Sequence, residues 1–456
     1  MAIQHIIGSF RRYTRFQRNA RLYLLSNALS GMTTGIFLVL YNLYLTSLGY
    51  QADFVGAVLF VGTIGGAIAI FPAGLLVDRW SEKWILLGTG LLIGLVGIGA
   101  ILFRQPGPLL ASAFLTGVAT AFLLVINAPF LTRNSLPAER PDLFSLNIVL
   151  TQITTVLGEI LGGALPLWFA HSPWWMSPLP PWLNWLLASQ PGARSYQLAM
   201  LVAGVIAIPS FLPLFWLREE RRQPGQARDF ARQTWRLPWR DWLARAREWT
   251  RPPALRLLLR NPVSALVLVQ VLTGLGAGLF IPYFNLFFVQ HLKATSALFG
   301  LIDGIANGLL ALTTLLAPWL ARKLGRVNSI ILTRLSSLPL LLIIGFTTSL
   351  PLAAVLYPLR LGLMDMAAGI LLVFSMEEAP EQHRGLANSL YQAAFQVAWA
   401  ITASLGGVVI VAAGYSPLFV GAACCYSAGL LLLWGRFGRR RRDVQALAKE
   451  SVLSNT

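Results

Sequence analysis

The chain has 456 residues, of which 56% are hydrophobic and only 12% charged, with a formal net charge of +18 and a mean hydropathy of +0.64. Soluble globular chains carry about 25% charged residues, so this composition excludes a water-soluble protein and makes lipid the solvent for most of the chain. The two cysteines, Cys424 and Cys425, are adjacent in an apolar run, which excludes a disulfide framework.

In chain order, residues 1–21 hold five Arg and no acid and read as a short cytoplasmic arm. No cleavable signal is expected, because the first apolar stretch already has full spanning length. A hydrocarbon core of about 30 Å takes about 20 apolar residues. Twelve such stretches are read, at 22–46, 55–76, 84–103, 108–131, 143–169, 196–217, 263–289, 297–320, 328–348, 351–376, 385–412 and 416–437. Backbone groups in lipid have to be satisfied within each segment, so all are helices. The expected fold is an all-α integral membrane protein with twelve transmembrane helices in two pseudo-symmetric six-helix bundles. Residues 1–217 form the first bundle and 263–437 the second, joined by the basic linker 218–262 and followed by the tail 438–456.

Arg and Lys orient the chain. The arm, the linker, the tail and the loops after spans two, four, eight and ten hold 31 of the 36 basic residues. The opposite side holds Arg104, Arg194 and Lys293, and Arg334 and Arg360 lie inside spans. The positive-inside rule then places both termini in the cytoplasm of a plasma (inner) membrane. Basic residues there meet anionic lipid headgroups, so the charge calls for no nucleic acid. In the linker, Trp239, Trp242, Ala246 and Trp249 recur at helical spacing after Pro238, which reads as an amphipathic helix in the headgroup layer. Trp174, Trp175, Trp182 and Trp185 in the loop 170–195 read as anchors at the opposite interface.

The chain is also a duplication. Gly31-x-x-x-Gly35-Ile-Phe37 followed by Tyr41-Asn42-Leu43-Tyr44 recurs as Gly274-x-x-x-Gly278-Leu-Phe280 followed by Phe284-Asn285-Leu286-Phe287, an offset of 243 residues. Gly56 matches Gly300 and Pro137 matches Pro380 at offsets of 244 and 243. Two six-helix halves repeated in the same direction are one transporter architecture. After span two the chain reads Gly74-Leu-Leu-Val-Asp78-Arg79-Trp-Ser81-Glu82-Lys83, and after span eight Pro318-x-x-x-Arg322-Lys323-Leu-Gly325-Arg326. Along essentially its whole length the chain resembles the major facilitator superfamily, whose loop motif is Gly-x-x-x-Asp-Arg/Lys-x-Gly-Arg/Lys-basic. Ser81 and Glu82 depart from that pattern, and the second copy lacks its Asp. The resemblance implies that Asp78 caps the N-terminus of span eleven and holds the cytoplasmic side shut, with Gly74, Arg79, Lys83, Gly325 and Arg326 completing the gate motif. A topological loop charge is the plainer alternative.

No P-loop, HExxH or paired Cys/His spacing is present, and the four histidines lie at ends or in loops, so no metal, cofactor or enzymatic constellation is read. Five ionisable residues lie inside spans: Glu159, Asp303, Arg334, Arg360 and Asp365. Such residues are costly in lipid and mark function by default. Arg334 and Asp365 lie 16 and 15 residues from the turn near residue 350, at matching depth on adjacent antiparallel helices, and read as a structural ion pair, with snorkelling of Arg334 to the cytoplasm as the alternative. Arg360 has no such mirror partner. The resemblance implies that spans five, eight and ten line one cavity, where Glu159, Asp303 and Arg360 would converge. A carboxylate in a low-dielectric place holds its proton more tightly and can carry it; a static network fastening helices is the alternative.

Polar stripes extend the candidate pathway: Gln152, Thr155 and Glu159 on span five, Asp303 and Asn307 on span eight, Gln392, Gln396 and Trp399 on span eleven, and Asn27 on span one. The resulting expectation is a monomeric secondary transporter working by alternating access on a small-molecule substrate, with protons as the coupling ion and efflux of amphipathic compounds favoured. A facilitative uniporter or importer of a sugar or organic anion is the rival, and a membrane-embedded enzyme or scaffold the remaining class.

Overall fold

The computed structural model describes residues 16–137, 139–178, 180–218, 261–379 and 384–438. The linker helix read at 238–249 and the tail lie outside these residues. Among the described residues twelve helices are long and apolar enough to cross a membrane, and no strand occurs. Spans one to six are Arg18–Ser47, Ala52–Arg79, Glu82–Leu102, Pro106–Arg133, Arg140–Ala170 and Pro191–Phe215. Span seven starts as Pro262–Phe280, spans eight and nine are Ser296–Leu324 and Arg326–Phe346, span ten is Leu350–Asp365 with Ala368–Glu377, and spans eleven and twelve are Arg384–Ala413 and Ser416–Leu433. Proline opens spans four, five, six, seven, ten and twelve, where its missing N–H would have had no partner. The Asn261 side chain accepts from Val263 N at 3.0 Å and caps span seven.

Two spans are broken where the apolar pattern alone reads as continuous. Pro282 interrupts span seven, which continues as short turns to His291, because proline removes a helical donor and clashes with the preceding turn. Span ten breaks directly after Asp365 with no proline at the break. Span six begins at Pro191, earlier than its apolar run suggests, which takes Arg194 into the first turn of the helix. There Arg194 is buried and donates to the carbonyls of Ala188, Trp175, Ser177 and Ser189 at 2.8–3.0 Å. Gln197 adds bonds to Ile101 O, Leu186 O and Ala188 N. Together they pin the loop that carries Trp174, Trp182 and Trp185, all three exposed.

The chain divides into two compact units, one of Met1–Gln223, Pro282–Ile305 and Gly407–Ala412, the other of Pro224–Ile281, Ala306–Gly406 and Ala413–Thr456. Each has an apolar core near the chain-terminal ends of its spans. In the first, Tyr23, Leu86, Phe130 and Leu143 pack together; in the second, Leu266, Ile330, Phe374 and Ala387, at offsets of 243 or 244 from them, do the same. The duplication is therefore repeated in the packing.

Candidate functional site

Glycines four residues apart share one face of a helix, and in lipid such faces let backbones approach closely. In the first unit, a methyl group on Gly31 would lie 2.8 Å from the Thr151 carbonyl oxygen, and one on Gly35 would run into that of Thr155. Gly158 and Gly162 face back against Met32 and Ile36, so spans one and five touch backbone to backbone. In the second unit Gly274 and Gly278 meet the carbonyl oxygens of Phe395 and Trp399, the positions equivalent to Thr151 and Thr155. The repeated Gly-x-x-x-Gly motif thus seats span one on span five and span seven on span eleven.

Glu159 sits on this crossing with 2% of its surface exposed. Its backbone nitrogen faces Gly35 and its carbonyl faces Gly300 of span eight. Ser296 Oγ donates to Gly163 O at 2.9 Å, a methyl on Gly163 would lie 3.0 Å from the Gly300 Cα, and Gly304 abuts Ile160 one turn on. Glu159 and half-buried Asp303 therefore flank one crossing of spans five and eight. The same unit holds its counterpart, Gly407 against the carbonyl oxygen of Ala52, the residues 244 positions from Gly163 and Ser296.

Between these crossings lie Asn42 and Asn285, both buried. Asn42 Nδ2 donates to Pro282 O at 2.7 Å, and Asn285 Nδ2 donates to Val39 O at 3.1 Å. Each asparagine thus bonds the carbonyl three residues before its own counterpart, a reciprocal clasp that maps onto itself under the 243-residue offset. The clasp and the crossings at Gly163 and Gly407 lie towards the span ends remote from the chain termini, and those at Gly31 and Gly274 near mid-span. In the sequence both asparagines mark the repeat without a role of their own; the signal for one is an identical amide at equivalent positions inside two apolar spans.

At the other ends of the spans the described residues include an ion pair in each unit, Arg133 with half-buried Glu82 and Arg326 with Glu377. The positions are equivalent at an offset of 244 with the charges exchanged. This accounts for Glu82 standing where the loop motif has a basic residue. It also separates Ser81 from Gly325: Gly325 has φ +82°, a conformation that favours glycine, whereas Ser81 has φ −63°. Gly74 and Lys83 are half-buried, and the side chains of Asp78 and Arg79 lie outside the described ones.

Of the remaining pathway candidates, Asn27 Nδ2 donates to Asn147 Oδ1 at 2.8 Å. Gln152, Asn307 and Trp399 are half-buried, and Gln392 and Gln396 are exposed on span eleven. Arg360 belongs to the second unit, as do Arg334 and Asp365. Arg334 is buried, with Asp365 and Tyr426 within electrostatic reach.

The family model of the Major Facilitator Superfamily matches residues 23–376 and 266–454. No curated protein matches the chain. Solved structures do: a bacterial homologue of the human lysosomal transporter Spinster (TM-score 0.61, 12% identity, 91% of this chain and 93% of that one), a D-xylose–proton symporter (TM-score 0.64, 16% identity, 92% and 97%) and the nucleoside transporter NupG (TM-score 0.59, 16% identity, 92% and 98%). At these identities the likeness is one of fold. With the family model covering the chain and twelve spans built as a duplication, this multi-pass membrane protein is a transporter rather than an enzyme, and it belongs to the major facilitator superfamily.

Proposed function

We propose that the protein is a secondary active transporter that works by alternating access and couples the movement of a small organic solute to protons through Glu159. One observation carries this reading: the carboxylate-bearing residue is buried where spans one, five and eight cross through glycines. A crossing of bare backbones is held by close contact and short hydrogen bonds, so it can part and re-form, and a buried carboxylate there ionises only at a cost in free energy. Protonation and closure of the crossing then favour one another. Asp303 on the same crossing is the second candidate carrier. The solute is amphipathic and efflux is the favoured direction, because one Arg, two acids and many aromatics suit such a solute slightly better than a sugar, whose sites use denser amide and aromatic pairs. A facilitative uniporter or importer of a sugar or organic anion is the competing reading.

The test is transport by the purified protein in liposomes. Glu159→Gln or Asp303→Asn mimics the protonated acid and removes only its ability to release the proton. Uphill movement driven by a pH gradient is expected to vanish while exchange down a solute gradient persists. If both variants still concentrate solute, proton coupling is wrong and the uniporter reading replaces it. Both termini are proposed to face the cytoplasm of the plasma membrane, on the strength of the 31 basic residues gathered on one side. Trp175→Cys and Gly225→Cys, each in a background without Cys424 and Cys425, are expected to react with an impermeant thiol reagent from outside and inside respectively. Labelling of both from one face would overturn this topology.

A further inference from the structure

Arg360 is the largest fully buried side chain among the described residues, with 1% of its surface exposed. Its guanidinium carbon lies 4.8 Å from the ring centroid of Phe280 and 5.9 Å from that of Tyr426. The rings are attracted to the cation through their faces, but a guanidinium also carries five N–H donors. No hydrogen bond of good geometry reaches Nε, Nη1 or Nη2, the Tyr426 hydroxyl lying near enough for a weak one at best. A buried cation in that condition is costly unless an acceptor joins it.

The surroundings specify the acceptor. Away from the ends of the described spans of the second unit, the ionisable side chains of fixed charge are Arg334, Arg360 and Asp365, two cations against one anion. Nε of Arg334 is likewise buried with no hydrogen-bond partner. Arg334 lines a cavity of about 10 Å³ together with Val269, Thr273, Met364 and Tyr426, room for one water-sized occupant. Tyr426 joins the two places: it faces Arg360 and also lines the cavity beside Arg334. The charge excess of one and the small volume both select a compact monovalent group.

We propose that the second unit binds one small monovalent anion, a halide or the carboxylate group of a solute, between Arg360 and Arg334 beside Tyr426. The site is independent of proton coupling at Glu159, which lies in the first unit.

The experiment uses the full-length protein purified in detergent, at fixed ionic strength, with gluconate replaced stepwise by chloride, by acetate or by sulfate. Thermal unfolding is followed by tryptophan fluorescence, and radioactive chloride binding by equilibrium dialysis. Chloride is expected to raise the Tm saturably with about one ion bound per chain, and sulfate to leave it unchanged. Saturation by acetate, with displacement of chloride, would assign the site to a carboxylate-bearing solute; saturation by chloride alone would assign it to a halide. Arg360→Gln is expected to abolish the shift, and Asp365→Asn, which adds to the charge excess, to tighten chloride binding several-fold. Should Arg360→Gln fail to fold, Tyr426→Phe keeps the ring and removes the hydroxyl, and is expected to weaken chloride binding several-fold. Equal Tm values for the parent protein in chloride, acetate and gluconate, or an undiminished shift in Arg360→Gln or Tyr426→Phe, would overturn the proposal. Because no step depends on transport, this result stands or falls apart from the proton-coupling test.

Discussion

Replacing Gly163 with leucine is expected to abolish transport and to leave the span ends remote from the termini unable to close. A Cβ at Gly163 would lie 2.5 Å from the Ser296 carbonyl oxygen and 3.0 Å from the Gly300 Cα. Both neighbours are backbone, so neither can swing aside as a side chain would. Overpacking of this kind costs about 1–3 kcal/mol when the structure has no alternative. An alternating-access protein has one: it parts spans five and eight and stays in the other state. The variant should therefore lose transport while keeping most of its thermal stability, and a cysteine at Phe284, which is buried here, should become reactive towards aqueous thiol reagents. Gly97 provides the control, since a side chain there meets nothing within 4 Å; Gly97→Leu should transport normally. Normal transport by Gly163→Leu would show that the crossing is not part of a moving gate.

The asparagine clasp belongs to the same step and should contribute less. Interhelical hydrogen bonds in membranes average about 0.6 kcal/mol in direct measurements, because separated helices find other partners. A bond of that strength opens readily, as the proposed alternating-access cycle requires of a contact at this place. In the structure the close approaches at Gly163, Gly300 and Gly407 are steric, and the amides tie spans one and seven in register.

The number of spans was legible because in lipid length and apolarity suffice: twelve runs were read and twelve helices observed. The duplication was legible for a different reason. Gly31, Gly35 and Asn42 recur because the contacts they make recur, and glycine cannot be exchanged where a Cβ would enter a neighbouring backbone. Ion pairs hid from the same comparison. Glu82 and Arg326 look unrelated until their partners, Arg133 and Glu377, are found to have exchanged sign as well. Arg194 was read as one of three basic residues on the sparsely charged side, whereas it is buried and donates to four carbonyls. Every residue offers a carbonyl, so a cation paired with main-chain acceptors leaves no trace in a search for opposite charges. The break in span ten was silent too, as no proline or glycine stands between Arg360 and Asp365 except Gly362, which packs against Thr313 within an intact helix.

That break places Asp365 at the end of a helical segment, and with Arg334 it yields the largest stability effects expected of this chain. The two lie at matching depth on spans nine and ten, which pack together, and the carboxylate acts on the buried guanidinium through electrostatics. We propose that they form a charge pair whose role is structural. Arg334 is buried and Asp365 half-buried, so Asp365→Asn or Arg334→Met should each leave one charge without its complement and cost stability, by less than the ~3–5 kcal/mol of a fully buried pair. The double variant Arg334→Met with Asp365→Leu removes both charges and fills the space with apolar atoms. It should recover much of the loss, because the desolvation penalty of each ion disappears with its attraction. Chemical unfolding in detergent would measure the three variants against the parent, and the coupling follows from the cycle. Transport should remain measurable in the double variant when the anion bound beside Arg334 is a halide rather than the solute's own carboxylate. If the double variant is destabilised by the sum of the single losses, the charges act independently, and Arg334 and Asp365 pass from the scaffold to the candidates for the transport pathway.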